Sequence, residues 1–137
     1  MAVQRITPTE AKALLDQGYT YLDVRSVPEY DQGHPDGAKN APLMHAGPGG
    51  MQPNPEFVAV VQANFATDAR LVIGCKSGQR SQRAAMMLEG AGFTNLVEMR
   101  GGWGGEPSTP GWLQLGLPGS TAATPGGTWE QLKAGSR

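Results

Sequence analysis

The chain has 137 residues, of which 39% are hydrophobic, and a formal net charge of −1 at pH 7. This length suits one domain with one sizeable core, and the balanced charge excludes the basic excess that is typical of nucleic-acid-binding proteins. No apolar stretch approaches the length that spans a bilayer and no apolar run near the N-terminus resembles a signal peptide, so we expect a protein of the reducing cytosol without a membrane partner.

Strand and helix patterns alternate along the chain. Short apolar runs between turn residues predict strands, and apolar residues at helical spacing predict helices. The predicted strands are 3–6, 19–24, a short piece within 37–42, 71–73 and 96–99. The predicted helices are a segment capped at Thr7 and stopped at Gly18, a short turn at 28–32, a segment opening at 54–55, the segment 81–88, and a short closing helix at 112–115.

The order of these elements predicts the fold class. Strands that alternate with helices favour an α/β fold, in which a mainly parallel sheet is covered by helices on both faces. In such folds the reactive loops lie at the carboxyl ends of the strands. Residues 44–55 are rich in Gly and Pro and are predicted to form a loop beside a pocket. The helix at 81–88 is predicted to turn four side chains inward, namely Ala84, Ala85, Met87 and Leu88.

The C-terminal part of the chain has a different composition. From residue 118 to residue 128 it shifts to Gly, Pro, Ser, Thr and Ala. This predicts a domain over residues 1–118 and a flexible tail over residues 119–137. The sequence leaves open whether Trp129 docks back on the domain.

Cys75 is the only cysteine, so the chain forms no internal disulfide, and no cluster of Cys and His has the spacing of a structural zinc site. A free cysteine is most often a small buried hydrophobe. The surroundings of Cys75 favour a reactive thiol instead, because it follows the apolar run 71–74 and precedes Lys76, Gly78 and Arg80. Two cations and the N-terminus of a predicted helix form an electropositive setting, which favours the nucleophilic thiolate.

The backbone that follows Cys75 is suited to an anion. Successive N–H groups in a tight loop that leads into a helix form an anion-binding nest, and Gly78 permits backbone angles closed to other residues. Two species fit this nest: an oxyanion, as in a cysteine phosphatase or arsenate reductase relative, or a sulfur atom bound to the cysteine as a persulfide. Four residues separate Cys75 from Arg80, one fewer than in a C-x5-R phosphatase loop, and the shorter loop favours the single sulfur atom.

Three motifs, in this order along the chain, resemble the rhodanese family of sulfurtransferases. Residues 22–42 are similar to the family's first signature, residues 75–81 (CKSGQRS) to its active loop, and residues 101–103 with the later 112–118 to its closing segment. The resemblance spans roughly residues 3–118. It implies a single rhodanese domain with a five-stranded, mainly parallel sheet flanked by helices on both faces.

The resemblance also implies an enzyme, a transferase similar to thiosulfate sulfurtransferase. Cys75 is expected to take a sulfur atom from a small anionic donor such as thiosulfate and to carry it as a persulfide to cyanide, a thiol or a protein acceptor. No cofactor and no metal are expected. A non-catalytic interaction module is the alternative function, and a monomer or weak homodimer is the expected assembly.

Two groups of residues are assigned to the predicted site. The substrate-binding residues are expected in the loop and at the start of the helix, and they are Lys76, Ser77, Gly78, Gln79, Arg80 and Ser81. The two cations are predicted to attract the anionic donor, whereas the polar residues mainly contribute backbone N–H groups, with Ser81 also expected to cap the helix. The framework of the site is expected to be an ion-pair network at a strand end, formed by Asp23, Arg25 and Glu29.

Overall fold

A computed structural model describes residues 3–135. The strands are β1 (Gln4–Ile6), β2 (Thr20–Asp23), β3 (His34–Pro35), β4 (Lys39–Asn40), β5 (Met44–Gly47), β6 (Gly50–Pro53), β7 (Leu71–Gly74), β8 (Leu96–Met99) and β9 (Gly119–Ser120). The helices are α1 (Pro8–Asp16), α2 (Val27–Gln32), α3 (Phe57–Asn64), α4 (Gln79–Gly90) and α5 (Trp129–Ala134).

The central sheet has five strands in the order β1-β8-β7-β2-β4, and every neighbouring pair is parallel. This confirms the predicted α/β fold. Strand β7 lies in the middle, and its register places Gly74 opposite Asp23 at the end of β2. Because both strands end at the same edge, the segments that begin at Val24 and Cys75 leave the sheet side by side.

Both faces of the sheet are covered, as predicted. Leu22 and Ile73 point to a core that is closed by α3, α4 and α5, whereas Tyr21 and Val72 point to a second core that contains Ala11 of α1. Strands buried on both faces explain why residues 71–74 form a continuous apolar run rather than an alternating one.

The start of α1 follows the sequence prediction. The Thr7 side chain accepts a hydrogen bond from the Glu10 backbone N–H at 3.2 Å, and the Glu10 carboxylate accepts one from the Thr7 N–H at 2.9 Å. Pro8 occupies the first helical turn. This capping box satisfies two backbone N–H groups that would otherwise lack partners at the helix terminus.

The predicted loop at 44–55 is instead largely a β-hairpin. Strands β5 and β6 pair in an antiparallel register from Met44 opposite Pro53 to Gly47 opposite Gly50. The Gly and Pro residues that predicted a loop form the connecting turn, and the flanking residues are too polar and too exposed to give a clear strand pattern.

Two predictions about helices are also wrong. Residues 112–115 form turns: the Trp112 and Leu113 N–H groups donate to the Gly102 and Trp103 carbonyls, 2.8 and 3.1 Å away, and the Leu115 N–H closes a single turn on the Gly111 carbonyl at 3.1 Å. In α4 the inward face consists of Ser81, Ala84, Ala85 and Leu88, while Met87 is exposed. None of the helices in residues 3–135 combines the length and the apolar composition needed to cross a membrane.

The segment predicted as a flexible tail lies against the domain over residues 119–135. Strand β9 pairs with β3, and Trp129 of α5 is only 5% exposed within the core that also contains α3. The Asn64 side-chain amide donates to the Leu132 carbonyl at 2.8 Å, which joins α3 to α5. Residues 136 and 137 of the predicted tail, like residues 1 and 2 of the predicted domain, lie outside the described part of the chain.

Replacing Trp129 with alanine tests whether α5 contributes to stability. Because the Trp129 ring is buried, we expect Trp129→Ala to lower the free energy of unfolding by about 3 kcal/mol, as truncations of buried aromatic side chains do. Urea unfolding followed by circular dichroism measures the change. Leu113→Ala is the control, since Leu113 is 58% exposed and its truncation should cost less than about 0.5 kcal/mol. Equal effects of the two substitutions would mean that α5 does not dock in solution.

Candidate active site

Cys75 lies between the end of β7 and the start of α4, at the carboxyl edge of the sheet. It is 1% exposed. Its Sγ accepts a hydrogen bond from the Gly78 N–H at 3.0 Å and lies 3.4 Å from Ser81 Oγ. Gly78 is the N-cap of α4 and has a left-handed φ of +103°. The sulfur is therefore placed at the N-terminus of a 12-residue helix, where backbone N–H groups favour negative charge.

A glycine-rich turn after β8, residues 101–105, holds the backbone of the Cys75 loop through hydrogen bonds. The Trp103 N–H donates to the Cys75 carbonyl at 2.7 Å, and the Gly104 N–H donates to the Lys76 carbonyl at 2.8 Å. Gly102 has a φ of +57°, and a Cβ atom at this position would overlap the Cys75 carbonyl. Position 102 therefore needs glycine so that this turn can approach the loop closely.

Asp23 and Arg25 form a buried ion pair beside the loop. Arg25 Nη2 lies 2.7 Å from Asp23 Oδ2 and 2.6 Å from the Gly33 carbonyl. Burial opposes the charge on Arg25, but the carboxylate of Asp23 outweighs this effect and raises the pKa of Arg25. The pair ties the segment after β2 to the end of α2, and it does not contact Cys75 through a hydrogen bond in the described part of the chain.

Glu29 binds Arg80 through both of its oxygens. Arg80 Nη1 lies 2.6 Å from Oε1 and Nη2 lies 3.0 Å from Oε2, so α2 is joined to the first turn of α4. Burial alone would raise the pKa of Glu29, but hydrogen bonds from Arg80 and Ser26 lower it to about 2. The hydrogen bonds from Arg80 to Glu29 in turn raise the pKa of Arg80. Arg80, predicted as a cation that attracts a donor, thus already has a carboxylate partner.

The outer rim of the loop consists of Lys76, Ser77 and Gln79, which are all exposed. The aliphatic part of Lys76 runs beside Gly104. Within residues 3–135 no carboxylate forms an ion pair with Lys76. Lys76 therefore carries an exposed charge at the loop that no described carboxylate neutralises.

Ser81 has a different role from the one predicted. It lies in the third position of α4, so it does not cap the helix, and its side chain is buried against the sulfur. Its hydroxyl donates a short hydrogen bond to Glu98 Oε2, and Arg5 Nε donates to Glu98 Oε1 at 2.5 Å. The sequence analysis did not identify Arg5 and Glu98 as site residues. Each is the single charged residue of a predicted strand, 3–6 and 96–99, and this pattern could have indicated a buried ion pair.

His34 is buried as a framework residue. Its Nδ1 lies 2.8 Å from the Tyr30 carbonyl, and its ring stacks on the Tyr30 ring at 3.8 Å. No group of three His, Cys, Asp or Glu side chains within residues 3–135 has the arrangement of a metal site.

The geometry as a whole places a buried thiol where it can act as a nucleophile toward a small electrophile. An N–H donor and a helix N-terminus favour negative charge on the sulfur. The profile of the rhodanese-like domain family matches residues 7–105. The chain belongs to this family.

Relatives of this rhodanese-like domain include enzymes and proteins named only by their domain. The chain is 40% identical over 113 residues to thiosulfate sulfurtransferase 16, chloroplastic, of Arabidopsis thaliana, which covers 82% of this chain and 89% of the relative. It is 42% identical over 93 residues to rhodanese-like domain-containing protein 15, chloroplastic, of the same plant, which covers 68% of this chain and 51% of the relative. The chain thus spans about half the length of the second protein.

A solved structure supports the fold assignment. The crystal structure of Rv0390 from M. tuberculosis matches with a TM-score of 0.75 and 25% identity, over 89% of this chain and all of the other. The compartment of this rhodanese-like domain stays a prediction from the sequence.

The pKa of Glu29 predicts how stability depends on pH. Its ordinary value is 4.5 and its value in the fold is about 2. A lowered folded-state pKa stabilises the fold above the ordinary pKa, and this contribution is lost as the pH falls through the folded value. We therefore expect Glu29→Gln to lose about 1–2 kcal/mol of stability at neutral pH, a value reduced for partial solvent screening.

Urea unfolding of both proteins across this pH range measures the difference. The gap between wild type and Glu29→Gln should narrow from about pH 4.5 and close near pH 2. Glu130→Gln, which changes an exposed carboxylate on α5, should leave stability nearly unchanged throughout. A gap that does not depend on pH would contradict the stabilising charge on Glu29.

Proposed function

We propose that this rhodanese-like domain is a sulfurtransferase that carries a sulfane sulfur as a persulfide on Cys75. The observation that carries the proposal is the position of Sγ, which receives the Gly78 N–H at 3.0 Å at the N-terminus of α4. The name of the relative that is 40% identical, thiosulfate sulfurtransferase 16, supports the same reaction class.

The proposed reaction is covalent catalysis in two steps. In the first step, the Cys75 thiolate attacks the outer sulfur of thiosulfate. A bond from Sγ to that sulfur forms, the sulfur–sulfur bond of thiosulfate breaks, and sulfite leaves with the electron pair. In the second step, a nucleophilic acceptor such as cyanide or a thiolate attacks the outer sulfur of the persulfide. The acceptor leaves with the sulfur, and the thiolate returns without an external oxidant or reductant.

The loop supplies what the charged intermediate requires. The persulfide carries negative charge on its outer sulfur, and backbone N–H groups at a helix N-terminus stabilise such a charge. Lys76 is exposed beside the loop and adds a positive charge that attracts the thiosulfate dianion. Neither step needs a metal or an organic cofactor to balance its electrons.

The pairing of Arg80 argues against the phosphatase or arsenate reductase alternative. An arginine that holds an oxyanion uses the two parallel N–H groups of its guanidinium fork. Here Nη1 and Nη2 of Arg80 both donate to Glu29. A single bound sulfur atom makes no such demand, so the observed ion pair is compatible with a persulfide. A non-catalytic interaction module remains the alternative that experiment must exclude.

The mass of the intact protein tests the proposed carrier directly. Incubation of the reduced protein with thiosulfate should add the mass of one sulfur atom, and cyanide should remove it. Cys75→Ser should show no gain, because its hydroxyl does not form the persulfide. Failure of the wild-type protein to gain sulfur from thiosulfate, mercaptopyruvate or a cysteine desulfurase would favour the interaction module.

Replacing Lys76 tests the attraction of the anionic donor. We expect Lys76→Ala to raise the KM for thiosulfate about fivefold, equal to about 1 kcal/mol, with little change in kcat. The difference from wild type should shrink at high salt, because exposed charges are screened. Lys12→Ala removes the same charge from α1, where Lys12 pairs with Asp16, and should leave the KM unchanged. An unaltered KM in Lys76→Ala would remove the proposed role of this charge.

A further inference from the structure

A buried chain of hydrogen bonds connects the sulfur of Cys75 to a carboxylate beneath the loop. The Cys75 thiol donates to Ser81 Oγ over 3.4 Å, and the Ser81 hydroxyl donates to Glu98 Oε2. Arg5 holds the other oxygen of Glu98. Three separate elements, α4, β8 and β1, thus contribute one side chain each, so the chain of bonds exists only in the folded protein.

The burial of Glu98 makes this arrangement unusual. Glu98 is 1% exposed in a strand of a parallel sheet, and a buried carboxylate is costly unless it is paired and hydrogen-bonded. Replacement of such a pair by apolar residues is often neutral or stabilising. Stability alone therefore gives little reason for a charge at this position.

We propose that Glu98 accepts the thiol proton of Cys75 through Ser81. The inference rests on the proposed function, because it explains how the thiolate that attacks the donor is formed. In the transfer, the S–H bond of Cys75 and the O–H bond of Ser81 break. A new O–H bond forms on Ser81 and another on Glu98, so one proton moves and the net charge of the group is unchanged.

The transfer reverses the direction of the hydrogen bonds. Protonated Glu98 donates to Ser81 Oγ, and the Ser81 hydroxyl donates to the thiolate beside the Gly78 N–H, which already lies 3.0 Å from Sγ. Because sulfur transfer to the acceptor returns a thiolate rather than a thiol, Glu98 keeps the proton from one turnover to the next. Ser81 contacts the reacting sulfur, and Glu98 is a positioning residue that acts through it.

The surroundings favour Glu98 over other proton acceptors. The charged and titratable groups around this chain of hydrogen bonds are Arg5, Tyr21, Asp23, Arg25, Glu29, Lys76, Arg80, Glu89 and Glu106. Burial raises the pKa of Tyr21, so it stays protonated. The cations do not accept a proton near neutral pH. Among the described residues, Glu98 is the carboxylate that receives the Ser81 hydroxyl hydrogen bond.

Glu98 also has a route to solvent that avoids the mouth of the site. It lines a groove of about 480 Å³ between β1 and α4, together with Arg5 and the exposed Met86. A proton held on Glu98 exchanges with water through this groove. Glu98, at the inner end of the chain of hydrogen bonds, can thus exchange its proton with water while a sulfur donor occupies the Cys75 loop.

The ultraviolet absorbance of the thiolate tests the proposal without any sulfur donor. Cys75 is the only cysteine, so the Cys75→Ser protein is the blank for a pH titration. Wild type should keep a constant thiolate signal over roughly pH 5–7, because the proton moves within the protein, whereas an ordinary thiol is almost fully protonated there. The infrared C=O stretch of a carboxylic acid should accompany this signal in wild type and be absent from Glu98→Gln and from Cys75→Ser, because the proton on Glu98 comes from the thiol.

The infrared band separates a proton acceptor from a structural charge. If Glu98 only pairs with Arg5, it keeps its negative charge and wild type shows no carboxylic acid band that depends on both Glu98 and Cys75. That result, or a wild-type protein without the plateau, would overturn the proposal. Glu89→Gln is the matched control, since it removes a carboxylate from the same groove, and it should keep the plateau.

Ser81→Ala guards against misfolding of the Glu98 variant, because it leaves the pair of Arg5 and Glu98 in place. It should weaken the infrared band and the thiolate signal together, because it removes the hydroxyl that bonds both to the sulfur and to Glu98. Wild-type strength of both signals in folded Ser81→Ala would also overturn the proposal. A wild-type plateau without persulfide formation would instead count against the proposed function.

Discussion

The two hydrogen bonds from the glycine-rich turn to the Cys75 and Lys76 carbonyls are the constraint on which the site depends. They hold the loop backbone at 2.7 and 2.8 Å from the Trp103 and Gly104 N–H groups. With these carbonyls bound from below, the loop turns at Gly78 and presents its N–H to the sulfur. The neighbouring strands β7 and β8 therefore position the site together: β7 leads into the Cys75 loop, and β8 leads into the glycine-rich turn that binds it.

Charge around the sulfur is arranged as pairs rather than as an excess of cations. Three arginines near the loop each bind a carboxylate: Arg5 binds Glu98, Arg25 binds Asp23 and Arg80 binds Glu29. Arg80, the second cation of the sequence CKSGQR, is therefore largely neutralised by Glu29. The backbone N–H groups and the dipole of α4 are left as the main stabilisers of an anionic sulfur. The arginine pairs chiefly fix the elements that carry the loop.

Local patterns predicted the five strands of the central sheet, the cysteine loop and the capping box of α1, because each depends on residues adjacent in sequence. The partners of Ser81 could not be predicted in this way. Glu98 lies 17 residues from Ser81 and 93 residues from Arg5, and only the order of strands in the sheet brings them together. The same holds for Trp129. The Gly-rich and Pro-rich segment that precedes it has the composition of a flexible tail, and its packing against α3 is seen only in the folded structure. Residues 112–115 were mispredicted because one turn, closed by the Leu115 N–H on the Gly111 carbonyl, has the same local pattern as the start of a helix.

Gly78 joins the two halves of the site. Its left-handed φ of +103° allows the loop to end and α4 to begin within one residue, with the N–H directed at the sulfur. A Cβ atom at the same position would lie 3.0 Å from Arg5 Nη2, so the missing side chain also makes room for the guanidinium that holds Glu98. A larger residue at position 78 would disturb both the N–H group that donates to Sγ and the pair of Arg5 and Glu98. Gly78 thus constrains both the N–H group that faces the sulfur and the space for Arg5, which holds the buried Glu98.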